Sequence, residues 1–251
     1  MRLPTLPDGP APGRRSTDRR LPMLWILLLA VLLLLAFGPQ WWVRHVMRRH
    51  GRERPEIPGT GGQLAEHLVR ELGLKGVKVE QTTPFGDHYD PNARAVRLSP
   101  DNFNGRSLTA VAVAAHEVGH AMQFYHQEPV SRLRKRYLPA AQTLKRLGVG
   151  LLMAMPFVLL LVRVPQAALV MVLLGVLVQL VSVLMYVVVL PEEFDASFNK
   201  ALPILVEGDY IEPDQVQPVR QVLRAAAMTY VAGAMADILN LGRWLAILLR
   251  R

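Results

Sequence analysis

Apolar residues fall along this 251-residue chain in long blocks rather than in short alternating runs. Leu21–Val43 carries no charge, and Met23–Phe37 is almost entirely Leu, Ile, Val and Ala. At about 1.5 Å of rise per helical residue, that run is long enough to cross a bilayer. No small-residue cleavage pattern follows it. Trp41 and Trp42 come next, then Arg44, Arg48 and Arg49, the aromatic-then-cationic order that a membrane–water interface attracts. Residues 21–43 are therefore expected to be a transmembrane anchor. Residues 1–20, rich in Pro, Gly and Arg without apolar periodicity, are expected to be a disordered basic tail. The largest apolar block is Leu147–Leu190, where Arg163 is the only charged side chain. It is too long for one span, and Arg163-Val164-Pro165-Gln166 reads as a turn, so 147–190 is expected to be a helical hairpin of two spans, 147–163 and 167–190. Residues 223–251 form a C-terminal apolar helix interrupted by Asp237, Asn240 and Arg243.

Two polar sections remain, 52–146 and 191–222. Gln63–Leu72 has helical apolar spacing between glycines. Val77–Glu80 and Ala95–Leu98 alternate on either side of turn residues Asp90-Pro91-Asn92, which predicts a small hairpin. Ser107–Gln127 is alanine-rich, is preceded by cap candidates and stops before Pro129, which predicts a helix. Arg132–Arg146 predicts a basic helix leading into the next span.

Composition changes this picture in two ways. The chain has no cysteine, so any metal site must be built from His, Asp and Glu. Net charge is +9, but the excess lies at 14–20, 44–54 and 132–146, beside the apolar blocks. Cations facing lipid headgroups account for it, and no nucleic-acid partner is expected.

The chemistry concentrates in His116-Glu117-Val118-Gly119-His120, inside the 107–127 helix. Residues four apart share one helix face, so two imidazoles can grip one ion, with Glu117 beside them as a general base. Random ordering of this composition yields such a pentapeptide in about one sequence per hundred, and rarely within a helix. A hydrolytic zinc site needs a third protein ligand and an open position. Pro191-Glu192-Glu193-Phe194-Asp195 follows the long span directly, and its acids are costly there unless a cation meets them.

Four segments resemble the YugP-type membrane zinc metallopeptidases: Ala110–Gln123, Asp87-His88-Tyr89-Asp90-Pro91 with Val96–Ser99, Leu190–Ser197, and Leu223–Val231. The likeness extends over about 45–245. It implies a zinc peptidase with His116, His120 and Glu193 as metal ligands, one catalytic Zn2+, and Glu192 as the fallback ligand. Ser197 stands where that pattern has Asp, so Asp195 is the expected carboxylate partner of a zinc histidine.

The expected fold is mainly α: multi-pass membrane helices with a small α+β zincin-like domain carrying the HExxH helix and a short β-hairpin. The catalytic section is 52–146 and the third-ligand segment 191–222. The expected function is a membrane-anchored, zinc-dependent endopeptidase in which Glu117 takes a proton from metal-activated water. Tyr230, His88 and Arg224 are the candidates to stabilise the oxyanion, with Tyr230 and His88 counted among the catalytic residues. Strand 95–99 is the expected edge for an extended substrate. Partners are the lipid bilayer and a peptide or membrane-protein substrate. Localisation is the cell membrane, multi-pass, with the catalytic section on the cytoplasmic side by its cations. The alternative is a non-catalytic zinc-binding membrane scaffold.

Overall fold

A computed structural model of the chain describes residues 20–162, 165–233 and 235. The basic tail, most of the C-terminal apolar segment with Asp237, and the Arg163-Val164 pair lie outside the described residues.

The protein is mainly helical with one small sheet. Helix α1 (Arg20–His50) runs without interruption through Pro39. Helix α2 (Gly61–Glu71) starts at a capping box in which Thr60 Oγ1 accepts from the Gln63 amide and Gln63 Oε1 accepts from that of Thr60. Strands β1 (Lys78–Gln81), β2 (His88–Asp90) and β3 (Ala95–Leu98) follow, then the short α3 (Pro100–Asn104). Helix α4 (Leu108–Tyr125) is capped by Ser107, whose Oγ accepts from the Ala110 amide. Next come α5 (Ser131–Val162), α6 (Pro165–Phe194), a π-helical segment Asp195–Ala201, α7 (Leu202–Glu207) and α8 (Val216–Ala227).

The hairpin forms between β2 and β3, where Asp90 Oδ1 accepts from the amides of Asn92 and Ala93 and holds the turn. β1 instead joins β3 in parallel, Lys78 opposite Ala95 and Gln81 opposite Leu98. The order is β1-β3-β2. Strand 95–99 is thus interior and paired on both sides, and cannot accept a substrate strand. The free edges are β1 and β2.

Helix α4 is the axis of the core: 16 of its 18 residues are buried. Leu68, Leu98, Leu205, Val222 and Leu223 close over it from α2, the sheet, α7 and α8. The base of α1 joins that core through Val43 and Val46, and Thr109 Oγ1 donates to the Met47 carbonyl. Helices α5 and α6 behave differently. They pack on each other, with Ser182 Oγ donating to the Ala141 carbonyl, yet leave Met153, Phe157, Leu173, Leu177 and Leu184 exposed. Among the described residues one helix, Leu173–Glu207, is long and apolar enough to cross a membrane, with a mean hydropathy of 2.7 in its apolar window. The described residues therefore carry one candidate span where the sequence pattern predicts several. The charge-free part of that helix ends at Leu190, and the acids follow outside it.

Candidate metal centre

Helix α4 presents His116 and His120 one turn apart, with ring centroids 4.6 Å from each other. The end of α6 brings Glu193 against them. Glu193 Oε2 is 3.4 Å from His116 Nε2 and 3.3 Å from His120 Nε2. These three side chains are buried, and they form the cluster suited to a metal ion among the described residues.

The remaining hydrogen bonds fix what each atom offers. Gln123 Nε2 donates to the Glu192 carbonyl (3.0 Å) and to Asp195 Oδ2 (2.8 Å), so its Oε1 must be the atom that faces His120 Nδ1 at 2.9 Å. His120 Nδ1 therefore carries hydrogen, and its Nε2 offers a lone pair. Ser197 Oγ donates to the Leu223 carbonyl (3.1 Å) and accepts from His116 Nδ1 (3.0 Å), which leaves the His116 Nε2 lone pair facing Glu193 as well. Two imidazole nitrogens and a carboxylate oxygen thus face one another, all within 4.8 Å, an arrangement suited to a shared cation. Ligands about 2.05 Å from a tetrahedral zinc ion stand about 3.3 Å apart. The observed 3.3 and 3.4 Å match that spacing.

Protonation follows the same logic. Burial lowers His120 to about 4, only partly offset by Glu193. Burial also pushes His116 down, but its bond to Glu193 and the charge of Glu117 prevail and its net direction is up. A proton there is one way to meet the demand of Glu193 for a cation. Burial pushes Glu193 up, yet His120, His116 and Arg134 together hold it far below the usual carboxylate range. Glu117 is raised to about 7, chiefly by burial, while His116 and Arg134 pull it back. Its Oε2 has no hydrogen-bond partner.

The sequence-expected residues divide. His116, His120 and Glu193 meet, with Glu117 buried beside them. Glu192, the fallback ligand, lies behind the ring: its Oε1 is 3.8 Å from His120 Nδ1, neither carboxylate oxygen has a partner, and burial raises it to about 8. Asp195 reaches His120 only through Gln123 and is held in turn by Lys200 (3.0 Å) and Asn199 (2.8 Å). Ser197, the apparent departure, is itself the partner of His116. Tyr230 comes to the site indirectly, its hydroxyl accepting from Arg134 Nη2 at 3.0 Å. His88 bonds through Nδ1 to the Gly86 carbonyl in its own loop (2.6 Å) and is no member of the metal cluster. Arg224 is exposed.

Arg134 escaped the sequence reading. It is buried, donates from Nη1 to Glu193 Oε1 at 2.9 Å and lies 3.3 Å from His120 Nε2. It stands in the run Arg132–Arg136, whose periodicity marks only a basic helix.

Comparison with known proteins agrees with this geometry. A family profile described as "Putative neutral zinc metallopeptidase" matches residues 25–249. The "Putative membrane protease YugP" of Bacillus subtilis (strain 168) is 35% identical over 230 residues, 90% of this chain and 97% of that protein. No solved structure matches the chain.

Proposed function

Because the chain belongs to the family described as "Putative neutral zinc metallopeptidase", we propose that it is a membrane-anchored zinc endopeptidase acting on peptide bonds at the bilayer surface. The observation that carries this reading is the convergence of two imidazole lone pairs and Glu193 Oε2 at tetrahedral zinc spacing, beside a buried glutamate with a free oxygen. His116, His120 and Glu193 would hold one zinc ion. Bound there, the ion supplies Lewis acidity, acidifying water and polarising a carbonyl.

The rest is done by the chain. Glu117 accepts the proton of the attacking water through the carboxylate oxygen that no protein group occupies, and returns it to the departing amine. Burial holds its proton affinity up, the direction needed by a group that must both take and give a proton. Ser197 and Gln123 hold the two rings by their Nδ1 hydrogens, so both Nε2 atoms stay available. Arg134 anchors Glu193 through Oε1 and leaves Oε2 for the ion. A second Nη1 hydrogen of Arg134 faces the His120 lone pair. Once that lone pair is taken, the hydrogen is free to meet the oxyanion developing on the attacked carbonyl. Tyr230 steadies the guanidinium from its other side. The free edge of β2, on the strand that packs Tyr89 against Phe124 of α4, is the place for an extended substrate to pair.

We read α1 and the α5–α6 hairpin as embedded in the bilayer, which makes the protein multi-pass. The exposed row of Ile26, Leu27 and Leu34 on α1 and Leu173, Leu177 and Leu184 on α6 supports this. The cations that follow α1 favour the cytoplasmic side for the catalytic section.

The test is metal analysis of the purified protein with a parallel cleavage assay. The unaltered protein should hold one zinc, Glu193→Ala should lose it, and Glu117→Gln should keep zinc while losing cleavage. Zinc retained in Glu193→Ala would overturn the ligand set. Cleavage unaffected by Glu117→Gln would remove Glu117 from the role of base, and no cleavage by the zinc-loaded unaltered protein would leave only a zinc-holding scaffold.

A further inference from the structure

Where α1 leaves its apolar stretch, the chain forms a groove of about 1260 Å³ floored by Arg44, Arg48, Arg49 and Arg52, with Arg54 at one end and Trp41 at its rim. Two acids also line the groove and are already engaged: Glu56 pairs with Arg54 at 3.6 Å, and Glu53 Oε1 accepts from the Arg106 amide. Among the described residues, Arg44, Arg48, Arg49 and Arg52 have no carboxylate within ion-pair reach. Arg44 and Arg48 are one helical turn apart, a spacing at which like charges repel unless an anion lies between them. Trp41 stacks on His45 (5.2 Å between ring centroids) and is 66% exposed.

Phe37 of α1 lines the groove, and Leu34, about one turn before it on the helix, is exposed as well. The helix that carries these arginines is anchored from behind. On the opposite side of the helix Val43 and Val46 are buried in the core, and the Met47 carbonyl accepts from Thr109 in the first turn of α4. A cationic floor beneath an exposed apolar wall, with an aromatic ring between them, has the polarity profile of a phospholipid. Guanidinium groups match phosphate oxygens in forked pairs, and acyl chains match the Leu-rich face above.

We propose that this groove binds the headgroup phosphate of an anionic phospholipid, with the acyl chains along α1. Because the base of α1 is locked to α4, the bound lipid fixes the metal-bearing helix relative to the membrane surface. This inference rests on the membrane-bound reading above and is independent of peptidase chemistry. A free inorganic anion would satisfy the arginines but leave the apolar wall bare, so the lipid is the occupant that uses both.

The experiment follows thermal unfolding of the full-length protein in neutral detergent while phosphatidylglycerol, phosphatidylcholine or inorganic phosphate is added. Phosphatidylglycerol should raise the midpoint by about 5 °C at saturation, the other two far less. The triple variant Arg48→Gln, Arg49→Gln, Arg52→Gln should lose that gain while keeping its zinc content and its midpoint without lipid. A control that removes the same charge elsewhere, Arg70→Gln, Lys75→Gln, Lys78→Gln, should keep the gain. The same results are expected on a Glu117→Gln background, so failure of the peptidase reading leaves this one standing. Equal protection by inorganic phosphate, a gain retained in the triple variant, or a gain lost in the control would each overturn the proposal. If the triple variant loses its zinc or midpoint, the single Arg49→Gln change decides: an undiminished gain there overturns the proposal, a reduced one supports it.

Discussion

Helices α4 and α6 are both poor in charge, yet the protein treats them as opposites. Helix α4 is built of Ala, Val and Gly and is buried on nearly every side. Helix α6 is built of Leu and Val and turns Val170, Leu173, Leu174, Leu177, Leu180 and Leu184 outward. Side-chain size makes the difference. Small residues let other backbones come close to α4, so His116, His120 and Gln123 meet partners from the end of α6 and from the π-helical segment. Bulky residues cover the face of α6 that no other element packs on, which suits a surface meeting acyl chains. A low-polarity helix thus serves either as the floor of a site or as a face for lipid, and residue volume rather than hydrophobicity tells the two apart.

The harshest way to break this contrast is to give α4 bulk. A Cβ on Gly119 would lie 2.7 Å from the carbonyl oxygen of Ala196 in the π-helical segment, against backbone that cannot swing aside. Gly119→Val is expected to cost about 4 kcal/mol of stability and to abolish stoichiometric zinc binding, because the displaced segment carries Ser197 and follows Glu193. Thermal unfolding and metal analysis together check it. Gly119→Ala sharpens the point. In an exposed helix that change stabilises by about 1 kcal/mol, so net destabilisation here measures the close approach alone.

The converse substitution acts on α6. Leu177, 57% exposed, touches little protein, so Leu177→Asp should leave zinc binding unchanged in detergent. Insertion is where the effect is expected, at about 3 kcal/mol, read as a fall in the fraction of protein resisting alkaline extraction from membranes. Normal insertion would mean that α6 faces water, and the contrast with α4 would be gone.

Which parts of this arrangement the sequence could reveal depends on how far apart the partners are. His116 and His120 were legible because four-residue spacing is a local rule, and the helix around them falls within two residues of its expected ends. Glu193 is 73 positions from His120, and the residues alone left it level with Glu192 and Asp195; resemblance singled it out, and the geometry shows why, since Glu192 points behind the ring. Arg134 was illegible for the same reason in reverse. Its neighbours Arg132, Lys135 and Arg136 look identical along the chain, and only burial against Glu193 separates it from them. Strand β3 was misjudged because pairing order in a sheet depends on a parallel partner, β1, that turn signals do not announce.

A smaller effect is expected one bond away from the proposed zinc site. Ser197→Ala removes the acceptor for the His116 Nδ1 hydrogen while filling nearly the same space, and Gln123→Leu does the same for His120. Each should weaken zinc affinity about 10- to 100-fold, with little change in the fold. Competition with a chelator measures it. Because Gln123 is also gripped by Asp195, its loss frees a carboxylate that then pairs with Lys200 and Asn199 alone, so the Gln123 variant should suffer more than the Ser197 variant. Equal losses would mean that the two rings are held by packing against α8 and the π-helical segment and not by these hydrogen bonds.

The sheet offers the reference for both helices, since its outer turn faces water. Asp90 lies below the ordinary aspartate value, first because the Ala93 amide donates to it, against a smaller opposing push from burial, and with added help from the Asn92 amide and Arg97. A carboxylate with a depressed folded value contributes stability that is present above its unfolded value of 3.8 and is lost as pH falls through the folded one. Removing the charge with Asp90→Asn should therefore cost less than about 1 kcal/mol at pH 7, the usual size for a solvent-screened pair. The difference between variant and parent should shrink as the medium is acidified below that aspartate value. Denaturant midpoints of the pair, followed from neutrality downward, test it. Zinc content at pH 7 should not change, because this turn bonds to β3 and not to α4. If zinc is lost with the turn intact elsewhere, then β2 positions the metal helix directly, and the division between a water-facing turn and a protein-enclosed α4 would have to be redrawn.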